Sequence, residues 1–95
     1  MTKAYLEITM KVAAQDRPNA GAVYTRYLRQ FLTTVPGART KDLLLRDEDV
    51  QVLHGFDSRV SAQNYLTSAL FVTDIVGALT PFLKADPDIR IYDCH

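Results

Sequence analysis

The stretch VQVLHGFDS (residues 50–58), followed by RVSAQNYLTSALF (59–71) and VTDIVGALTPFL (72–83), reads as a strand that stops at a capped corner and runs into a two-part helix. Val50, Val52, His54 and Phe56 alternate with Gln51, Leu53 and Gly55, the period of a half-buried strand. Asp57 and Ser58 are residue types that accept hydrogen bonds from the free N–H groups of a helix start. Ala62, Tyr65, Leu66 and Ala69 then share one helical face. Val72, Ile75, Val76, Leu79 and Phe82 continue at helical spacing but out of phase with the first set. The phase breaks at Thr67 and Ser68, where Ser68 is a candidate second N-cap, so a short helix, a corner and a longer helix are expected. Pro81 clashes with the carbonyl four residues back, on Gly77, and a kink there is expected rather than an early stop.

Upstream, Leu6, Ile8, Met10 and Val12 alternate with Tyr5, Glu7, Thr9 and Lys11, a strand with one apolar face. After a connector, Pro18 and Asn19 suit a helix start, and Ala20, Val23, Tyr24, Tyr27, Leu28, Phe31, Leu32 and Val35 recur at steps of three and four. Pro36-Gly37 ends this helix, Gly37 supplying the left-handed conformation that helix termini often need. Residues 40–46 form a second strand whose three consecutive leucines put apolar groups on both faces. Asp47, Glu48 and Asp49 lack the spacing of a calcium loop and read as a solvated hairpin turn. Residues 85–88 break the helical pattern, and Ile89 and Ile91 alternate with Arg90, Tyr92 and Cys94 as a last strand.

The order strand, helix, strand, strand, helix, strand defines an α+β chain. A βαββαβ chain normally makes a ferredoxin-like fold, a four-stranded antiparallel sheet with its helices on one face. The 95 residues suit a single domain, residues 1–95, and so small a chain gains core by association. Equal numbers of acidic and basic residues leave no electrostatic footprint for nucleic acid or anionic lipid. The lone cysteine, Cys94, excludes an internal disulfide, and no run reaches the length of a membrane span. The N-terminus alternates like a strand instead of showing a signal-peptide core, so a cytoplasmic protein is expected. No phosphate loop, metal-ligand spacing or other cofactor motif is present, and Cys94-His95 at the terminus has no second cluster to complete a metal site.

Strand parity places Leu6, Ile8, Met10, Val12, Val52, His54, Phe56, Ile89 and Ile91 under the helices. Tyr5, Glu7, Thr9, Lys11, Gln51, Leu53, Arg90 and Tyr92 fall on the other face, with part of the leucine run. That second face is apolar for a solvated surface and polar for a core, which marks an association surface. A homodimer packed through it is expected, with Glu7 and Arg90 paired across neighbouring strands.

The V-L-H-G-F-D-S at 52–58, A-Q-N-Y-L at 62–66 and S-A-L-F at 68–71 resemble the dimeric α+β barrel superfamily, and within it the antibiotic-biosynthesis-monooxygenase-like (ABM-like) group. The order of elements matches over nearly the whole chain. The resemblance implies a homodimer with one pocket per subunit, between helices and sheet. Some members oxygenate quinol-like or polyketide aromatics without metal or flavin; others degrade heme. Heme-degrading members use an Asn on the first strand, a Trp on the short helix and a His on the longer helix. Here Tyr65 stands where the Trp would be and Ile75 at or near the His position, and the first strand has no Asn. Heme degradation is disfavoured.

Within such a pocket, His54 is the candidate catalytic base, since imidazole titrates near neutrality and its parity points under the helices. The alternative for His54 is a core histidine hydrogen-bonded to backbone or to a tyrosine. Tyr65 and Tyr24 are candidate substrate-binding walls with hydroxyls to orient a planar ligand, or else core tyrosines with wet tips. Phe56 completes the candidate substrate-binding set with Asn64, which lies about 100° round the helix from Tyr65 and flanks the pocket. Two functions stay open on the sequence. One is a cofactor-independent monooxygenase or isomerase acting on a small aromatic or polyketide-like molecule. The other is a non-catalytic ligand-binding or stress-associated dimer whose pocket is filled by side chains, and a ligand-sensing module is a more distant third.

Overall fold

The computed structural model describes residues 1–95. Its elements are β1 (Ala4–Met10), α1 (Arg17–Thr34), β2 (Ala38–Leu45), β3 (Val50–Phe56), α2 (Arg59–Leu66), a final helical stretch Leu70–Phe82 and β4 (Asp88–Asp93). The four strands pair antiparallel in the order β2-β3-β1-β4, and the helices cover one face, as the ferredoxin-like reading expects. No single helix is long and apolar enough to cross a membrane.

Ala4, Leu6, Ile8 and Met10 of β1 are buried, and Val50, Val52, His54 and Phe56 of β3 lie on the same side. β1 ends at Met10, and the buried Val12 makes an isolated bridge to Leu83 instead of extending the strand. From α1, Phe31 is fully buried. Its ring meets His54, Phe56 and Tyr65 edge-on, with centroids at 5.4, 5.6 and 5.0 Å. Each such contact adds about 0.5–1.5 kcal/mol beyond area burial, so this cluster ties α1, β3 and α2 together.

The corners follow the residue chemistry. Gly37 takes φ 80°, and its carbonyl accepts from the Asp57 N–H at 2.9 Å. A Cβ there would land on Asp57 Oδ1 and on Ser61, so the α1 terminus and the α2 start are packed against each other. Ser58 caps α2 by accepting from the Ser61 N–H at 3.1 Å, and the Ser61 hydroxyl donates to Asp57 Oδ1 at 2.6 Å.

The two-part helix is bent by 52° at the Thr67-Ser68 corner. The Ser68 hydroxyl donates to the Tyr65 carbonyl at 2.6 Å and accepts from the Phe71 N–H at 3.3 Å. Beyond it the backbone is π-helical over Leu70–Ile75, α-helical over α3 (Val76–Leu79) and 3₁₀ over Thr80–Phe82. Pro81 sits in the first positions of the closing 3₁₀ turn, so the departure from α geometry upstream is the wide π stretch. Pro81 is tolerated because a first turn does not require its N–H.

Four details differ from expectation. Asp49 is buried at 2% exposure: the Arg46 guanidinium grips it with two bonds at 2.8 and 2.7 Å, and Gln51 adds a third at 3.3 Å. That grip holds the Asp49 carboxyl down to about 2. Of the three leucines, Leu43 is half-buried while Leu44 and Leu45 are exposed, and the buried residue of β2 is Lys41. Ile89 is exposed, because α2 reaches only the far end of the edge strand β4, through the Arg59–Asp93 pair. Glu7 and Arg90 are opposite in register, but Arg90 binds Asp88 through two bonds at 3.0 Å, and Glu7 accepts from the Thr9 hydroxyl.

Candidate functional site

Between the sheet and the helices lies a cavity of about 50 Å³, walled by β1, β2 and β3 below and by α1, α2 and the Leu70–Phe82 stretch above. Most of its lining is aliphatic or aromatic; the polar groups come from Tyr24, Lys41, His54 and Tyr65. His54, placed by strand parity, and Tyr65 and Tyr24, placed by helical face, therefore share one space. Phe56 is not in the wall: it stands behind Tyr65, fully buried, with ring centroids 5.8 Å apart. Asn64 is exposed on the outer side of α2, and its carbonyl accepts from the Thr67 hydroxyl.

His54 is 2% exposed, and its Nδ1 lies 3.0 Å from the Leu6 carbonyl on the neighbouring strand. A carbonyl only accepts, so Nδ1 carries the proton and Nε2 keeps its lone pair. Burial, with the nearby charge of Lys41, pushes the imidazole down to about 3, and the ring is neutral at physiological pH.

The two tyrosines differ. The Tyr24 hydroxyl donates to the Lys41 carbonyl at 2.7 Å and is committed to holding α1 on β2. Tyr65 is 2% exposed and its hydroxyl has no hydrogen-bond partner. Burial pushes its pKa up, so it remains a donor. A buried hydroxyl without a partner costs about 1–3 kcal/mol, and in a cavity wall it is a position where a ligand's acceptor is favoured.

Lys41 escaped the sequence reading. It pairs with His54 in the β2–β3 register, and its ammonium lies over the rings of Phe31 at 4.9 Å and Tyr24 at 5.6 Å. Desolvation lowers it to about 8. The one available signal was its odd-numbered place beside Leu43, which puts it on the inner face.

No protein-family model and no curated protein matches the sequence. Solved structures do. A Caulobacter crescentus CB15 protein named for the antibiotic biosynthesis monooxygenases superposes with a TM-score of 0.84 at 16% identity, over 99% of this chain and 91% of that one. A Bordetella bronchiseptica protein of the same designation gives 0.83 at 11% identity, over 98% of each chain. The fold is that of the ABM-like proteins. An anthrone oxidase-like protein gives 0.77 at 20% identity, covering 97% of this chain and 44% of that one. The ABM-like fold agrees with the resemblance carried by residues 52–71, and at these identities it is the fold that is shared.

Proposed function

We propose that this protein is a cofactor-independent oxygenase of a small aromatic or polyketide-like molecule, bound in the cavity beneath the helices. The observation that carries the reading is the partnerless Tyr65 hydroxyl, buried in an apolar cavity beside a neutral imidazole. The names of the similar structures favour oxygenation over isomerisation. In such a reaction a ring CH₂ across the ring from a carbonyl, or from the phenolic carbon of its tautomer, is converted to a second carbonyl. One atom of O₂ enters the product and the other leaves as water with the two hydrogens, so the substrate supplies all the electrons.

His54 Nε2 is the base for the enolic or phenolic proton. Its low proton affinity in the free protein rises as negative charge develops on the bound substrate, so transfer is favoured only in the complex. The cavity is smaller than the roughly 150 Å³ that accepts a benzene ring, and a substrate ring enters by parting the walls. The wall suited to this is the Leu70–Phe82 stretch, whose π and 3₁₀ segments bond less regularly than α-helix.

The functional unit in this reading is a homodimer through the outer face of the sheet, where Tyr5 and Leu53 are half-buried and Leu44 and Tyr92 are exposed. Sedimentation at micromolar concentration tests this part: a monomer in wild type, or a dimer unaffected by Leu53→Glu, removes it.

Oxygen uptake with anthrone or 1-naphthol, followed on an electrode, tests the activity. The expected result is enzyme-dependent uptake of one O₂ per product carbonyl, lowered about 10²–10⁴-fold in His54→Gln. Absence of uptake with these compounds, or an unchanged rate in that variant, overturns the reading.

A further inference from the structure

Two donors of the cavity have no hydrogen-bond or ion-pair partner in the chain, and they come from different elements; of the two, only the Tyr65 hydroxyl is fully shut off from solvent. Tyr65 on α2 has its hydroxyl unpaired. Lys41 on β2 is 8% exposed, and none of the chain's four ion pairs includes it. Lysine is rarely buried unless its charge is matched, since desolvating an ammonium among apolar groups is costly. The π faces of Phe31 and Tyr24 replace part of the lost hydration and supply no anion. A neutral carbonyl would satisfy Tyr65. A negative charge also compensates the Lys41 ammonium, which a neutral acceptor does not.

We infer that the cavity takes an oxyanion on a small apolar body, a phenolate or enolate, with Lys41 as its charge partner and Tyr65 as second donor. This rests on the cavity being a substrate site and narrows its substrate to molecules with an acidic hydroxyl. On binding, the O–H bond breaks, its electrons stay on oxygen and the proton passes through His54 to solvent. Lys41 holds the charge that remains. His54 and Lys41 thus divide two tasks, one accepting the proton and the other keeping the anion.

The test uses 4-nitrophenol, which titrates near neutrality and is yellow only when ionised, beside nitrobenzene, which lacks the hydroxyl. Both are titrated into wild type, Lys41→Met and Lys41→Gln, with circular dichroism to confirm folding. In wild type the bound dye is expected to ionise at lower pH than the free dye, by about the one unit that a tenfold preference for the anion gives. Both variants lose that preference while still binding nitrobenzene. If wild type binds both compounds without preferring the anion, or either variant keeps the preference, the role of Lys41 is overturned while the cavity remains a ligand site. If wild type binds neither compound, the ligand site and the inference fall together.

Discussion

Lys41 and His54 stand directly opposite each other in the β2–β3 ladder, both on the sheet face that lies under the helices. Two groups that both gain positive charge on protonation are held side by side in an apolar enclosure. Burial lowers the proton affinity of each, and the lysine's charge lowers the histidine's further. Such an arrangement costs stability in the free protein.

That cost is measurable for the lysine. Its folded value is about 8 against an ordinary 10.5, so the unfolded chain binds more protons throughout that interval and stability rises with pH across it. Lys41→Met, which keeps the length of the stem, should stabilise the fold at pH 7 by about 1–3 kcal/mol. Urea unfolding should show the gain shrinking as pH rises from 8 through 10.5, above which the wild-type ammonium has lost its charge in both states.

For His54 the folded value is about 3 against 6.5, so the folded state takes up its proton last. The contribution is fully present above pH 6.5 and is lost as pH falls towards 3, at up to about 1.4 kcal/mol per unit. His54→Asn can still donate to the Leu6 carbonyl and does not titrate. Its unfolding free energy should be flatter than wild type between pH 6.5 and 4.5, above the range where most carboxylates protonate.

The Tyr65 hydroxyl should reveal itself by opposite effects. Tyr65→Phe removes a partnerless polar atom, so the free protein should be unchanged or more stable by about 1 kcal/mol in thermal unfolding. The same variant should bind phenolates more weakly. A loss of stability as large as a core truncation would mean that the hydroxyl is satisfied after all.

Gly37→Ala should lose about 1–3 kcal/mol, because an alanine at φ 80° is strained and its methyl falls on Asp57 and Ser61. A double-mutant cycle with Ser61→Gly, read by urea unfolding, should show positive coupling, since that change empties part of the space the methyl enters.

The frame of the molecule was legible in the residues because its signals are periodic. The alternation from Leu6 to Met10, the stripe from Ala20 to Phe31, and the break of phase at Thr67 and Ser68 each impose one local geometry. The chemistry of the cavity was only half legible. His54 could be placed by strand parity and Tyr65 by helical face, yet Lys41 reads as a solvated charge until the β2–β3 register sets it under Phe31 and Tyr24. Asp49 reads as a wet turn for the same reason: its burial depends on a guanidinium folded back over it. Asn64, read as flanking the pocket one helical step from Tyr65, is exposed instead, since the face of α2 carrying Ala62 and Tyr65 is narrow.

The π-helical turns of Leu70–Ile75 divide the molecule into a part that is fixed and a part that is adjustable. A strand residue changed for another size disturbs a hydrogen-bonded ladder whose register is fixed. A roof that already carries one surplus residue per turn can take up or release that residue locally, turning Phe71 and Ile75 relative to the floor. Chamber capacity in this architecture can therefore be retuned from above by small insertions and deletions, with the floor that carries the lysine and histidine left intact.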